Sequence, residues 1–173
     1  MKNLDKIANL AILLAVAVFL TLVIRGEFSR HTAAPAPSPG ALVGKTIGIP
    51  GVQFPAQRDS LVLGISTSCH FCNESLPFYR QLSDELQGRL TFIAVLPQTQ
   101  PDAVNYLKGA GLFQVQAVSA NLGSIGVYAT PTLLLIDSHG KIKSAWVGKQ
   151  DEAGQRKILA ALLPQPAAAG PRS

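Results

Sequence analysis

The sequence predicts an α/β domain, a mixed β-sheet flanked by helices, preceded by one N-terminal transmembrane helix. Three observations carry this. Apolar strand-like runs (Ser60 to Ile65, Leu90 to Leu96, Thr132 to Ile136) alternate with stretches patterned as helices. The first of these runs leads directly into Cys69-His70-Phe71-Cys72, which holds the only two cysteines of the chain. Far upstream, Ile7 to Ile24 is apolar apart from Asn9 and Thr21.

That upstream run is eighteen residues long, and as a helix it would span roughly 27 Å, close to the ~30 Å hydrocarbon core of a bilayer. It exceeds the usual core of a signal peptide, and Arg25, Glu27 and Arg30 follow it in place of a clean small-residue cleavage site. We therefore read residues 7–24 as an uncleaved anchor. Lys2 and Lys6 precede it and Arg25 and Arg30 follow it, so loop charge alone does not orient it. Residues 31–41 form a Pro/Ala linker, a semi-extended spacer. Residues 42–163 form the folded domain, and residues 164–173 a disordered tail.

Within the domain, Val43 to Phe54 reads as short strand pieces around a Gly/Pro turn. Ser60 to Ile65 is a continuous apolar strand, central in its sheet. A helix from about His70 to Gln87 carries Pro77 in its interior. Proline there removes a backbone donor and kinks the helix, and Gly88 ends it. Leu90 to Leu96 is a second buried strand. Pro101 to Ala110 is a helix with proline in its first turn. Gln114 to Val118 is a short strand and Ala120 to Tyr128 a short helix or helical turn. Thr132 to Ile136 and Lys141 to Val147 pair through an Asp137-Ser138-His139-Gly140 hairpin. Asp151 to Leu163 closes the domain as an amphipathic helix, with Ile158, Leu159, Leu162 and Leu163 on one face.

The chain carries a net charge of +5. From Leu42 onward there are eleven basic and eight acidic residues, scattered rather than clustered. That balance gives no basic face of the kind nucleic acid requires. With no cysteine left over for structural bridges, the pair suits a redox protein working outside the cytosol.

The C-x-x-C pair points to thiol–disulfide exchange. Cys69 at an exposed helix start would have its thiolate favoured by unpaired backbone N–H groups, which makes it the nucleophile. Cys72, one turn on, would resolve the mixed disulfide. Other uses fit less well. Structural zinc needs four ligands, whereas there is no second cysteine pair and His31 and His139 stand alone. A static bridge would close a tiny loop that constrains the unfolded chain little. Covalent haem attachment needs histidine directly after the second cysteine, where the chain has Asn73.

In motif order, residues 43–163 resemble the thioredoxin superfamily, and most of all its membrane-anchored, TlpA-like branch. The resemblance rests on the C-x-x-C after a buried strand, Pro77 five residues beyond Cys72, and Gly126-Val127-Tyr128-Ala129-Thr130-Pro131-Thr132 followed by Leu133 to Asp137, Gly140 and Gly148. It implies a thioredoxin-like sheet, a cis peptide bond before Pro131, and Thr130 and Pro131 beside Cys69, where they dock an extended partner. A cis bond is energetically accessible almost only before proline. The chain departs from relatives at Ser68, where many carry tryptophan. Leu63 stands where thioredoxins bury an acid, and Ser75 where some TlpA-like proteins have glutamate. Glu74 is adjacent to Ser75 but faces another side of the helix, leaving the proton acceptor for Cys72 open between water and nearby loops. His70 is a candidate modulator of Cys69, since a nearby imidazole favours thiolate. Phe71 is a candidate substrate-docking residue. Trp146 is expected in sheet packing.

The expected function is that of a protein-disulfide oxidoreductase in the cytoplasmic membrane, single-pass, with its catalytic domain facing a periplasm or other extracytoplasmic space. It would exchange the Cys69–Cys72 couple with protein thiols and disulfides and with a membrane or periplasmic redox partner. No bound cofactor or metal is needed. Family analogy suggests a reductant in cytochrome c maturation or a similar assembly pathway. The alternatives are a peroxiredoxin-like peroxidase, a metallochaperone binding metal through the C-x-x-C, and a structural adaptor.

Overall fold

The computed structural model describes residues 12–21 and 38–163. The chain divides into two compact units, Met1–Ala36 and Pro37–Ser173. In the first, residues 12–21 form helix α1, with exposed side chains. The expected anchor, 7–24, extends past this helix at both ends, outside the described residues. Among the described residues no helix is long and apolar enough to cross a membrane. Most of the expected linker and the whole tail, 164–173, also lie outside the described residues.

The second unit is a five-stranded sheet in the order β3-β2-β1-β4-β5. The strands are β1 (Ser60–Gly64), β2 (Thr91–Leu96), β3 (Gln116–Ser119), β4 (Thr132–Ile136) and β5 (Ile142–Val147). β1, β2 and β3 run parallel, while β4 runs antiparallel to β1 and to β5. β1 is therefore central, as expected, and all five of its residues are buried. A strand covered on both faces has no position for polar side chains to reach water, which is why it reads as a continuous apolar run.

The two faces are covered differently. Leu61, Leu63, Phe92, Ala94, Leu96 and Leu133 meet Phe78 and Leu82, Ala103 and Leu107, and Ile158. These come from α4 (Leu76–Glu85), α5 (Gln100–Gly109) and α6 (Glu152–Leu162) respectively. On the other face Val62, Ile93, Val95, Leu134 and Ile136 meet Leu42, Ile49, Ile125 and Val127. Consecutive right-handed crossovers from β1 to β2 to β3 put their helices on one face, so the opposite face is left to loops and short turns.

Several elements differ from the sequence expectation. Pro39–Leu42, spanning the expected end of the linker (residue 41) and the first residue of the domain, forms one helical turn, α2, with Leu42 buried in the core. Val43 to Phe54 forms no strand: it lies along the start of β5, bonding Ile47 N–H to Gly140 O at 2.9 Å and Ile142 N–H to Lys45 O at 2.8 Å, with a single bridge between Thr46 and Lys141. Gly48, Pro50 and Gly51 break the run before a ladder can extend. Gly140 has φ +81°, and a Cβ there would strike the Ile47 carbonyl.

The expected single helix from His70 to Gln87 is two helices, α3 (His70–Glu74) and α4, joined at Ser75. Pro77 lies in the first turn of α4 and has no N–H to continue the ladder. Ser75 Oγ instead donates to Phe71 O at 2.7 Å. The helix or helical turn expected from Ala120 to Tyr128 is a 3-10 turn over Leu122–Ile125, where Asn121 Oδ1 accepts from Gly123 N–H. The hairpin forms, with Asp137 Oδ1 accepting from the N–H groups of His139 and Lys141. Trp146 stands opposite Leu133 and packs against the helical side of the sheet.

Candidate active site

The site lies at the end of the central strand. β1 stops at Gly64, Ile65 N–H still reaches Val95 O at 3.1 Å, and Ser66 O accepts from Cys69 N–H to close a turn. Cys69 is the N-cap of α3, and its Sγ accepts from Cys72 N–H at 3.3 Å. Sulfur thus fills the place usually taken by a serine or aspartate oxygen, and the bond strengthens when the sulfur is charged. Cys69 Sγ also lies 3.4 Å from Thr130 O, to which the thiol donates when protonated.

Both cysteines are free thiols, and their surroundings differ sharply. Cys69 is partly exposed. Burial pushes its pKa up, but hydrogen bonds from Cys72 and the Thr130 side chain, with the backbone N–H groups of Cys72 and Phe71, outweigh that and hold it below the ordinary thiol value. Cys72 is fully buried. Burial, and then its hydrogen bond with Cys69, push its thiol up to about 12. The arrangement offers one accessible, readily ionised sulfur and a second, concealed one that ionises only with difficulty.

The Thr130–Pro131 bond is cis. Pro131 O accepts from Gly148 N–H at 2.7 Å, and the buried Thr132 donates its hydroxyl to Ala129 O at 2.7 Å. These bonds hold the segment on both sides of Thr130. Phe71 is 55% exposed and lines a shallow depression of about 430 Å³ together with Gly148, Lys149, Gln150 and Asp151.

His70 lies on the outer side of α3, its Nε2 3.3 Å from Glu74 Oε1. The other oxygen of Glu74 pairs with Lys149 Nζ at 2.9 Å. Lys149 is the larger influence holding the Glu74 carboxyl below its usual range. Among the described residues His70 makes no hydrogen bond to Cys69, so the structure brings Cys69, Cys72, Thr130 and Pro131 together and leaves the imidazole with Glu74. Leu63, at the position where thioredoxins bury an acid, is an apolar core residue.

Sequence reasoning missed three groups around the cysteines. Tyr106 Oη donates to Asn73 Oδ1 at 2.6 Å, which ties α5 to the active-site helix. Burial, and then the charges of Cys72 and Cys69, push Tyr106 up to about 12. Tyr79 is raised further, mainly by burial. Gln98 Nε2 donates to Ser66 Oγ, which lies 3.1 Å from Ser68 Oγ. Asn73, adjacent to Cys72, was visible as a polar residue inside the motif. Nothing local connected it to a tyrosine thirty-three residues away. Cys69 and Cys72 are the soft donors of the site, and no group of three or more metal-ligating side chains gathers among the described residues.

No protein-family model matches the chain. The thiol:disulfide interchange protein DsbE of Pseudomonas aeruginosa is 31% identical over 181 aligned positions, which span 95% of this chain and 96% of that protein. Among solved structures, a DsbE-type thiol:disulfide interchange protein from Chlorobium tepidum has a TM-score of 0.52 at 24% identity, covering 69% of this chain and 99% of that one. The exposed lipoprotein thioredoxin of Streptococcus pneumoniae has a TM-score of 0.51 at 21% identity, covering 62% and 84%. The structural likenesses establish the fold, and the full-length sequence likeness goes further: this chain belongs to the DsbE family of thioredoxin-like thiol:disulfide interchange proteins, which are disulfide oxidoreductases.

Proposed function

We propose that the chain is a membrane-tethered thiol–disulfide oxidoreductase whose exchange couple is Cys69–Cys72. The observation that carries this reading is the asymmetry of the two sulfurs beside the cis Thr130–Pro131 segment. In the reducing direction, the Cys69 thiolate attacks a partner disulfide. A Cys69–partner S–S bond forms and the partner's other sulfur leaves as thiolate. Cys72 then gives up its proton and attacks Cys69 Sγ. The Cys69–Cys72 bond forms and the partner's second thiolate leaves, so two electrons pass from the dithiol to the partner. The oxidising direction is the reverse. Burying Cys72 keeps the resolving thiol protonated until the mixed disulfide has formed.

In this reading Thr130, Pro131 and Phe71 dock the partner, and His70 has a smaller, modulating part. The apolar run at 7–24 tethers the domain to the cytoplasmic membrane, with the domain on the periplasmic side, where disulfide chemistry operates. The partners are protein thiols and disulfides, and by family resemblance the task is reduction in cytochrome c maturation or a similar assembly pathway. The test is the reduction potential of the purified full-length chain, equilibrated against glutathione and dithiothreitol buffers. A value near thioredoxin's, about −270 mV, supports a reductant recharged across the membrane, and one near −120 mV an oxidant. Absence of any reversible couple overturns the reading.

A further inference from the structure

Gly64 ends β1 between Val95 of β2 and Thr132 of β4. Its φ is not in the left-handed region, so backbone freedom does not explain a glycine here. Space does. A Cβ at Gly64 would stand 2.9 and 3.3 Å from the two γ-carbons of Val127 and 3.5 Å from its Cβ. The first distance is one that real side chains do not sustain, so something must move.

Val127 cannot give way cheaply. It is 3% exposed and packs among Leu42, Ile125 and Leu134. Its backbone N–H is bonded to Leu122 O at 2.9 Å. A β-branched side chain has little rotamer freedom, and packed interiors transmit displacement rather than absorb it. A displaced Val127 carries its displacement into the chain that follows, Tyr128 to Pro131. That segment carries Thr130 O, 3.4 Å from Cys69 Sγ.

We propose that Gly64 is a positioning residue for disulfide exchange: its missing side chain lets Val127 seat against the end of the central strand, and that seat sets where Thr130 stands beside Cys69. The assignment rests on the exchange reading above and adds a residue that touches neither sulfur. Its effect falls on partners that must lie along Thr130, not on small disulfides that need only reach Cys69.

The test compares the full-length chain in detergent with its Gly64→Ala variant, using insulin as the protein disulfide and glutathione disulfide as the small one. Gly64→Ala is expected to slow insulin reduction about tenfold, because small misplacements of a docking group are costly, and to leave reaction with glutathione disulfide within about twofold, since that reagent is not held in one docked geometry. Gly64→Ala/Val127→Ala removes both crowded γ-carbons and is expected to restore the insulin rate. Val127→Ile crowds the same contact from the other side, and it stands in if Gly64→Ala fails to fold. Equal slowing with both reagents, an unchanged ratio in Gly64→Ala or Val127→Ile, or no recovery in the folded double variant each overturns the assignment. A wild-type chain that reacts with neither reagent overturns the exchange reading and the assignment with it, and one that reacts with glutathione disulfide but not with insulin overturns the assignment alone. An active wild type with an unmoved ratio overturns the assignment alone.

Discussion

Cys69 and Cys72 stand three residues apart on one short helix, in two different solvents. At the rim, Cys69 receives backbone N–H groups and touches the Thr130 segment, and its thiol is held below the ordinary value. One turn inward, Cys72 lies in the apolar layer between the sheet and its helices, and its thiol is pushed up to about 12. The same chemical group is pushed in opposite directions because hydrogen bonds to the charged form dominate at the rim and desolvation dominates inside. An exchange couple needs this division: an attacking sulfur ionised at rest, and a resolving sulfur kept from attacking prematurely.

The most drastic way to break the comparison is to delete each sulfur in turn. Cys69→Ser is expected to abolish insulin reduction. Cys72→Ser is expected to retain the first attack and accumulate a mixed disulfide, visible as a mass increase on non-reducing analysis. If the two variants behave alike, the division of roles fails. A graded version is alkylation of the reduced chain with iodoacetamide across pH, with each site followed by mass spectrometry. Cys69 is expected to label with a midpoint below 9.0 and Cys72 only towards about 12. Equal labelling of both at neutral pH would contradict the burial argument.

Stability sharpens the contrast further, because the two shifts give slopes of opposite sign. Between its lowered value and 9.0, Cys69 has released its proton in the folded chain but keeps it in the unfolded one, so the reduced protein gains stability as pH rises through that window. From 9.0 to about 12 the unfolded chain has released the Cys72 proton while the folded chain still holds it, so stability falls. Tyr79, also raised by burial, adds to the fall at the alkaline end. Urea unfolding at pH 9 and pH 10.5 is expected to show the decline, with a shallower one in Cys72→Ala. The same slope in that variant would remove Cys72 as its source.

The smallest expected effect concerns the bond that steadies the inner region. Tyr106→Phe removes the 2.6 Å bond to Asn73 and is expected to cost about 1 kcal/mol in urea unfolding, the usual value of one hydrogen bond. The alkylation midpoint of Cys69 should stay in place, because Tyr106, pushed up to about 12, is uncharged where Cys69 titrates. A shifted midpoint would mean that the rim and the interior are not separable.

Much of this arrangement was legible in the chain. Continuous apolar runs marked β1, β2 and β4 because each is buried, and burial on both faces leaves no room for polar alternation. The C-x-x-C after the first run marked the site, and Pro77 marked the break in its helix, although not that Ser75 would divide it into two. Val43 to Phe54 has the pattern of strand pieces yet forms none, because its apolar residues serve as a cover for one sheet face, which requires burial but no ladder. Adjacency of His70 to Cys69 in the chain says nothing about side-chain direction, and one turn of helix brings its imidazole beside Glu74.

The sequence by itself therefore determined the elements and the chemistry, because apolar periodicity and paired thiols are local properties of a chain. Tertiary structure alone decided how completely Cys72 is buried, how closely the Thr130 carbonyl approaches Cys69, and why a glycine ends the central strand. Those facts depend on distances between segments far apart in sequence: Cys69 and Thr130 are sixty-one residues apart, and Gly64 meets Val127 only once β4 has paired with β1. Desolvation and steric fit come from the sum of such long-range contacts, and no local pattern encodes that sum.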